Sequence, residues 1–229
     1  MSEDESVGEH PTTGHRRIAR TDWTGWTAFG LIVLLVASVG WWLRWSSPEP
    51  RAFPDTFWYA RSAMQYGGVD QPKANHDAAV VTCNAMLKVG HPYRAHHQTY
   101  ASCVTGREKL PGTVSHRWER IFTTRPGYGL LAAPAVWVAG PRGFKAATAA
   151  MAVACGVAMA GLALVAGLSR VQAVAGVVLF YVLPTGYWAT RLGAEAPMLL
   201  FLILALGGAV ILLRPGECGP LARGGVRFE

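Results

Sequence analysis

The stretch "FPDTFWYARSAMQYGG", Phe53 to Gly68, sets an acid among aromatics directly after an apolar run of membrane length. If Phe57 to Gln65 is helical, Asp55, Tyr59 and Ser62 share one face, with Phe57, Trp58 and Arg61 on its flanks. A carboxylate there, close to a lipid-linked phosphate, can serve as general base toward an acceptor hydroxyl or help hold a divalent metal. The competing reading is a helix N-cap, a role that Asp fills well.

Three further groups carry possible chemistry. Arg125 and Tyr128, in "TTRPGY", stand where the chain re-enters an apolar segment. An Arg fork suits the phosphate of a lipid donor. The alternative is an interfacial Arg/Tyr anchor with Pro126 in the first helical turn. Glu195, in "TRLGAEAP", is the sole acid between Gly127 and Leu213. An ionisable group at a membrane segment points to function by default, which makes Glu195 a weaker second candidate acid. Arg191 precedes it by four residues, so the two either pair on one helix face or share a polar turn between spans.

Cys83 and Cys103 lie in one long loop. A bridge between them would close a loop of about 20 residues and stabilise it by ~3 kcal/mol. His76, His91, His96, His97 and His116 share that loop and make metal binding the rival reading, yet their spacing fits no compact zinc pattern. No metal ligand set is assigned. Cys155 reads as a small apolar residue inside a span. The chain has no G-x-S-x-G, no P-loop and no G-x-G-x-x-G.

The elements that must position these residues are membrane helices. The chain is 229 residues long, 51% hydrophobic and only 15% charged, against about a quarter charged in soluble domains. Between Gly127 and Leu213 the only charges are Arg142, Lys145, Arg170, Arg191 and Glu195. The fold class is therefore all-α: a multi-pass membrane protein with about 4–5 transmembrane helices and a long extracytoplasmic loop containing short helices. The net charge of +7 is spread out, with no basic block that would indicate nucleic acid. It fits contact with anionic membrane lipid.

Residues 1–22 are polar and read as a disordered cytoplasmic tail, with Arg16, Arg17 and Arg20 holding the N-terminus inside. The first span occupies 23–44 and ends in Trp41, Trp42 and Trp45 rather than a cleavage site. The loop covers 45–125, with helices expected at Phe57–Gln65, Asp77–Val89 and Arg94–Cys103, an irregular Thr105–Val114, and a last turn at His116–Phe122. The bundle covers 126–213, with spans at Thr124–Gly140, Ala146–Leu168, Val171–Tyr187 and Pro197–Leu213. Outside-to-inside travel through Thr124–Gly140 would put Arg142 and Lys145 on the cytoplasmic side. Five crossings would then leave the tail, 214–229, outside with Arg214, Arg223 and Arg227, against the charge rule.

The order "DTFWYARSAMQYGG", large loop, "RIFTTRPGYGLLAAP" resembles the GT-C superfamily of membrane glycosyltransferases. It looks most like actinobacterial membrane proteins with a "D-x-x-W-Y-x-R" start and an "I-F-T-x-R-x-G-Y-x-L-L-A-A-P" re-entry. The resemblance covers roughly residues 25–213. It implies that Asp55 is the catalytic acid and that the donor is a polyprenyl-phosphate sugar, sometimes used with Mg²⁺ or Mn²⁺. It also implies that Arg61, Arg125, Tyr128 and Tyr59 lie near the lipid phosphate or substrate. GT-C enzymes usually have eight or more spans, so the chain would correspond to the front part of one. The alternative is a non-enzymatic membrane protein, a scaffold or interaction partner in envelope assembly.

Overall fold

The computed structural model describes residues 23–47, 51–87, 99–113, 120–122 and 126–213. Among these residues the protein is all-α. Helix α1 runs Trp23–Ser46, α2 Thr56–Tyr66, α3 Gln71–Leu87, α4 Tyr100–Glu108 and α5 Leu110–Thr113. Helix α6 runs Gly127–Ala139, α7 Pro141–Val165, α8 Arg170–Val182, α9 Pro184–Ala189 and α10 Glu195–Leu213. The arginine-bearing segments 1–22 and 214–229, with Arg125, His91, His96, His97, His116 and Cys218, lie outside the described residues.

Among the described residues three helices, α1, α7 and α10, are long and apolar enough to cross a membrane, which points to a multi-pass membrane protein. Of the 4–5 spans expected, three coincide with helices of full membrane length, while α6 and α8 are apolar but have 13 residues each. At 1.5 Å per residue each reaches about 20 Å, short of the roughly 30 Å hydrocarbon core.

Helix α8 nevertheless passes alongside α1 for most of its length. At one end the Arg170 guanidinium lies 4.3 Å from the Trp26 ring centroid. At the other, Arg44 donates to the carbonyls of Tyr181 (2.6 Å) and Leu183 (3.2 Å). The cause is local. Pro184 has no N–H and ends the helix, so the last carbonyls of α8 lose their partners and Arg44 supplies them. Ser169 and Gln172 close the other end with a reciprocal capping box. The junction of α1, α7 and α8 is made by small residues. A Cβ on Gly40 would stand 2.6 Å from the Tyr181 ring, and one on Gly156 would stand 2.9 Å from Ala37. Such close approach is how helices associate where apolar burial gives no drive. Helix α10 lies on α7 and runs in the same direction: Cys155 Sγ donates to the Ala196 carbonyl at 3.3 Å, and Gly207 faces Leu162.

A second core sits at the Trp45 end of the bundle, built from α2, α3, α4, α6 and the first turns of α7. Helix α6 turns at Gly140 (φ 57°, a conformation only glycine adopts without strain) and folds back on α7. Arg142 and Lys145 therefore stay with the long loop, contrary to the cytoplasmic placement expected for them: Lys145 Nζ lies 4.5 Å from the Trp45 ring centroid. The loop helices also differ in detail. Helix α3 starts at Gln71, where Asp70 Oδ2 accepts from the Lys73 amide at 3.3 Å, rather than at Asp77. The segment expected to be irregular, Thr105–Val114, is helical over most of its length, because α4 is capped by Thr99 and anchored by the bridge from Cys103 to Cys83.

Candidate functional site

Asp55 is held at the start of α2 by backbone stitching to a distant part of the chain. Thr56 Oγ1 donates to the Leu192 carbonyl at 2.7 Å and accepts from the Phe53 amide at 3.0 Å. The Leu192 amide in turn donates to the Arg51 carbonyl at 3.0 Å. Phe53 stacks on Trp188, with ring centroids 6.1 Å apart. These contacts bring the α9–α10 turn, with Glu195 at its end, against residues 51–56. The result is a cavity of about 220 Å³ lined by Asp55, Tyr59, Trp188, Leu192, Gly193 and Glu195, among others.

Three residues singled out in the sequence thus meet in one place: Asp55, Tyr59 and Glu195. Asp55 stands at the N-cap position of α2, yet its side chain makes no capping hydrogen bond and is exposed. Asp55 is among the residues that line the cavity. One oxygen of Glu195, Oε2, is buried without a hydrogen-bond partner. Gly193 makes room for it, since a Cβ there would stand 2.2 Å from Oε2. Arg191 lies in the turn between α9 and α10, and Glu195 is the first residue of α10, so the two do not share one helix face. Arg191 is 2% exposed, and its guanidinium carbon lies 3.7 Å and 3.6 Å from the Phe53 and Tyr187 ring centroids. That cation–π packing fixes the aromatic wall behind the cavity.

The other sequence candidates are elsewhere. Tyr128 is 2% exposed, packed edge-on between Tyr59 and Phe144, with its hydroxyl on Thr148. Burial, with the charge of Glu195 adding to it, pushes its hydroxyl well above the usual phenol range despite the bond to Thr148. It is a neutral packing residue that supports Tyr59. Arg61 is buried, with its guanidinium carbon 5.6 Å from the Trp58 ring centroid, and does not line the cavity. Trp58 stacks in turn on Phe122. Ser62 faces Gly129 of α6 rather than the cavity. Arg125 lies outside the described residues.

Cys83 and Cys103 are bridged and tie α3 to α4. His76 pairs with Glu108 across the same two helices. Among the described residues no group of three His, Cys, Asp or Glu side chains is placed to hold a metal. Sequence reading missed Thr56, Trp188, Leu192 and Gly193 as parts of the site. Only the Gly before "AE" in "RLGAEAP" carried a signal, a small residue next to a lone acid.

No protein-family model, curated protein or solved structure matches the chain.

Proposed function

We propose that the protein is a GT-C-like glycosyltransferase, or the front part of one. It would move a sugar from a polyprenyl-phosphate donor to an acceptor outside the cytoplasm. The observation that supports this reading is one cavity holding two carboxylates, Asp55 and Glu195, at the end of a membrane bundle. The two acids are 140 residues apart in the chain, and the turn that leads to Glu195 is stitched to residues 51–56 at the start of α2. Asp55, exposed and uncommitted to capping, takes the role of general base that accepts the acceptor's hydroxyl proton. Glu195 and Tyr59 line the same cavity and orient the substrate's hydroxyls. Two carboxylates are also the oxygen donors that Mg²⁺ or Mn²⁺ takes, with water and donor phosphate left to complete the shell.

The topology consistent with this has four crossings: α1, α7, α8 continued by α9, and α10. The N-terminus is cytoplasmic, and α2–α6 with the cavity are extracytoplasmic. Counting α6 as part of the outer layer returns Leu213 to the same side as Trp23, so the arginines flanking both ends share the cytoplasmic face. The charge conflict created by five spans then disappears.

The test is sugar transfer, or donor-induced thermal stabilisation, by the full chain with a short-chain polyprenyl-phosphate sugar. Asp55→Asn is expected to lower transfer about 10²–10⁴-fold, the usual weight of a positioned base, while donor stabilisation persists. Transfer unaffected by both Asp55→Asn and Glu195→Gln would overturn the reading and favour a role in envelope assembly.

A further inference from the structure

Pro54 lines the two-carboxylate cavity beside Asp55, and a helix outside that cavity holds it as well. Within the turn, the Phe53 carbonyl accepts from the Thr56 amide at 3.1 Å, and the Asp55 carbonyl accepts from the amides of Trp58 and Tyr59 at 3.0 and 3.2 Å. The Pro54 carbonyl, between these two, accepts from Arg107 of α4, whose Nη1 donates at 3.3 Å. Donor and acceptor are 53 residues apart in the chain. A charged donor makes a stronger hydrogen bond than a neutral one. The oxygen it holds belongs to the peptide group that joins Pro54 to Asp55, and a peptide group is planar and rigid. Fixing that oxygen therefore orients the backbone from which the Asp55 side chain springs.

Arg107 can hold that peptide only if α4 is itself fixed. Contacts with α3 fix it. Asn84 Nδ2 donates to the Tyr100 hydroxyl at 3.3 Å, Cys83 is bridged to Cys103, and His76 pairs with Glu108. Residue numbers fall along α3 as they rise along α4, so the two helices are antiparallel. The Asn84–Tyr100 and His76–Glu108 contacts are exposed, and exposed polar pairs contribute little. The bridge is covalent and both its cysteines are buried. Cys103 precedes Arg107 by four residues, which puts the two on one face of α4. A second guanidinium nitrogen, Nη2, donates to the Met86 sulfur of α3 at 3.2 Å and steadies the group between α3 and Pro54.

We infer that Arg107 is a positioning residue for Asp55, and that the Cys83–Cys103 bridge places it by anchoring α4. The Thr56–Leu192 bond sets Asp55 against the membrane bundle, and the Arg107–Pro54 bond sets it against the loop helices. The effect on rate rests on the sugar-transfer reading, whereas the hold on the Asp55 peptide stands on these contacts alone. A reacting group misplaced by about 1 Å loses up to about 10²-fold in rate. Arg107 acts through the backbone rather than on the substrate, so its loss should appear in kcat and not in KM.

The experiment measures amide hydrogen exchange of the full chain in detergent, with kcat and KM for transfer from a short-chain polyprenyl-phosphate sugar. Arg107→Met keeps the apolar stem and removes the donors. In it the Trp58 and Tyr59 amides, which bond to the Asp55 carbonyl, should exchange about tenfold faster while those of α7 keep the wild-type rate. The kcat should fall about tenfold, with KM within about twofold of wild type. Arg107→Lys, which retains a charged donor, should recover most of both losses. Cys83→Ser/Cys103→Ser should accelerate the same two amides relative to α7. Glu108→Gln weakens the pair with His76 without touching Pro54, and should leave exchange and kinetics at wild-type values. Wild-type exchange of the two amides in Arg107→Met would overturn the inference. So would an acceleration that spreads equally through α7, which would make Arg107 a general stabiliser, or wild-type exchange in the cysteine variant. A wild-type protein that transfers no sugar, with the exchange differences present, would sink the sugar-transfer reading and leave the hold on the Asp55 peptide standing.

Discussion

The hairpin between α6 and α7 decides the topology, and Gly143 is its most sensitive point. A Cβ built on Gly143 would lie 1.9 Å from the Ala135 carbonyl oxygen, 2.3 Å from its carbon and 2.6 Å from the Val136 nitrogen. All three are backbone atoms of α6, so no side-chain rotation relieves the clash. Gly143→Ala must therefore push α6 and α7 apart by about 1 Å or more before the contact becomes tolerable. Overpacking of this kind costs about 1–3 kcal/mol, and a rigid backbone obstacle belongs at the upper end. For a chain of this length, about 3 kcal/mol corresponds to a fall of roughly 6–12 °C in thermal midpoint. Gly161→Ala supplies the control in the same helix: nothing lies within 4 Å of its Cβ, and removing a helical glycine is neutral or stabilising by up to about 1 kcal/mol. Both variants would be melted in the same detergent under oxidising conditions. If Gly143→Ala melted with Gly161→Ala, within a degree or two, the close α6–α7 packing would be wrong. Arg142 and Lys145 would then no longer be held at the Trp45 end.

Topology can be read directly by impermeant maleimide labelling in a Cys218→Ser background. Trp137→Cys and Tyr100→Cys should react from the extracytoplasmic side, and Trp23→Cys and Leu213→Cys only after the membrane is permeabilised; labelling of Trp137→Cys with the second group would refute the outer position of α6. The Cys83–Cys103 bridge spans 20 residues of chain, and loop-closure entropy gives it about 3 kcal/mol. Replacing both cysteines by serine should lower the thermal midpoint by several degrees, and an unchanged midpoint would show that the helices α3 and α4 stay docked without the bridge.

The span count shows how far sequence reading reaches and why it stops. Hydropathy sees composition along a window, and Thr124–Gly140 is as apolar as any span. What sets α6 apart from α8, which has the same 13 residues, is its packing on α2 and α7, and neither Gly140's conformation nor Gly143's close approach has a hydropathy signature. Pro184 was different. A proline interrupts a helix wherever it stands, so the break between α8 and α9 was legible, although Arg44 as the group that satisfies the freed carbonyls was not.

By itself the sequence determined the class of the molecule, because 87 residues with five charges cannot remain in water, and because tryptophans and arginines mark where helices leave lipid. It also singled out Asp55 and Glu195, since a lone acid at a membrane segment is costly and conspicuous. Only the tertiary structure decided that the two line one cavity. Their proximity depends on hydrogen bonds from Thr56 and Leu192 that join segments 136 residues apart, and on a glycine that leaves space for a carboxylate. Such long-range backbone contacts depend on how helices pack, and packing is a property of surfaces in three dimensions that no local pattern along the chain records.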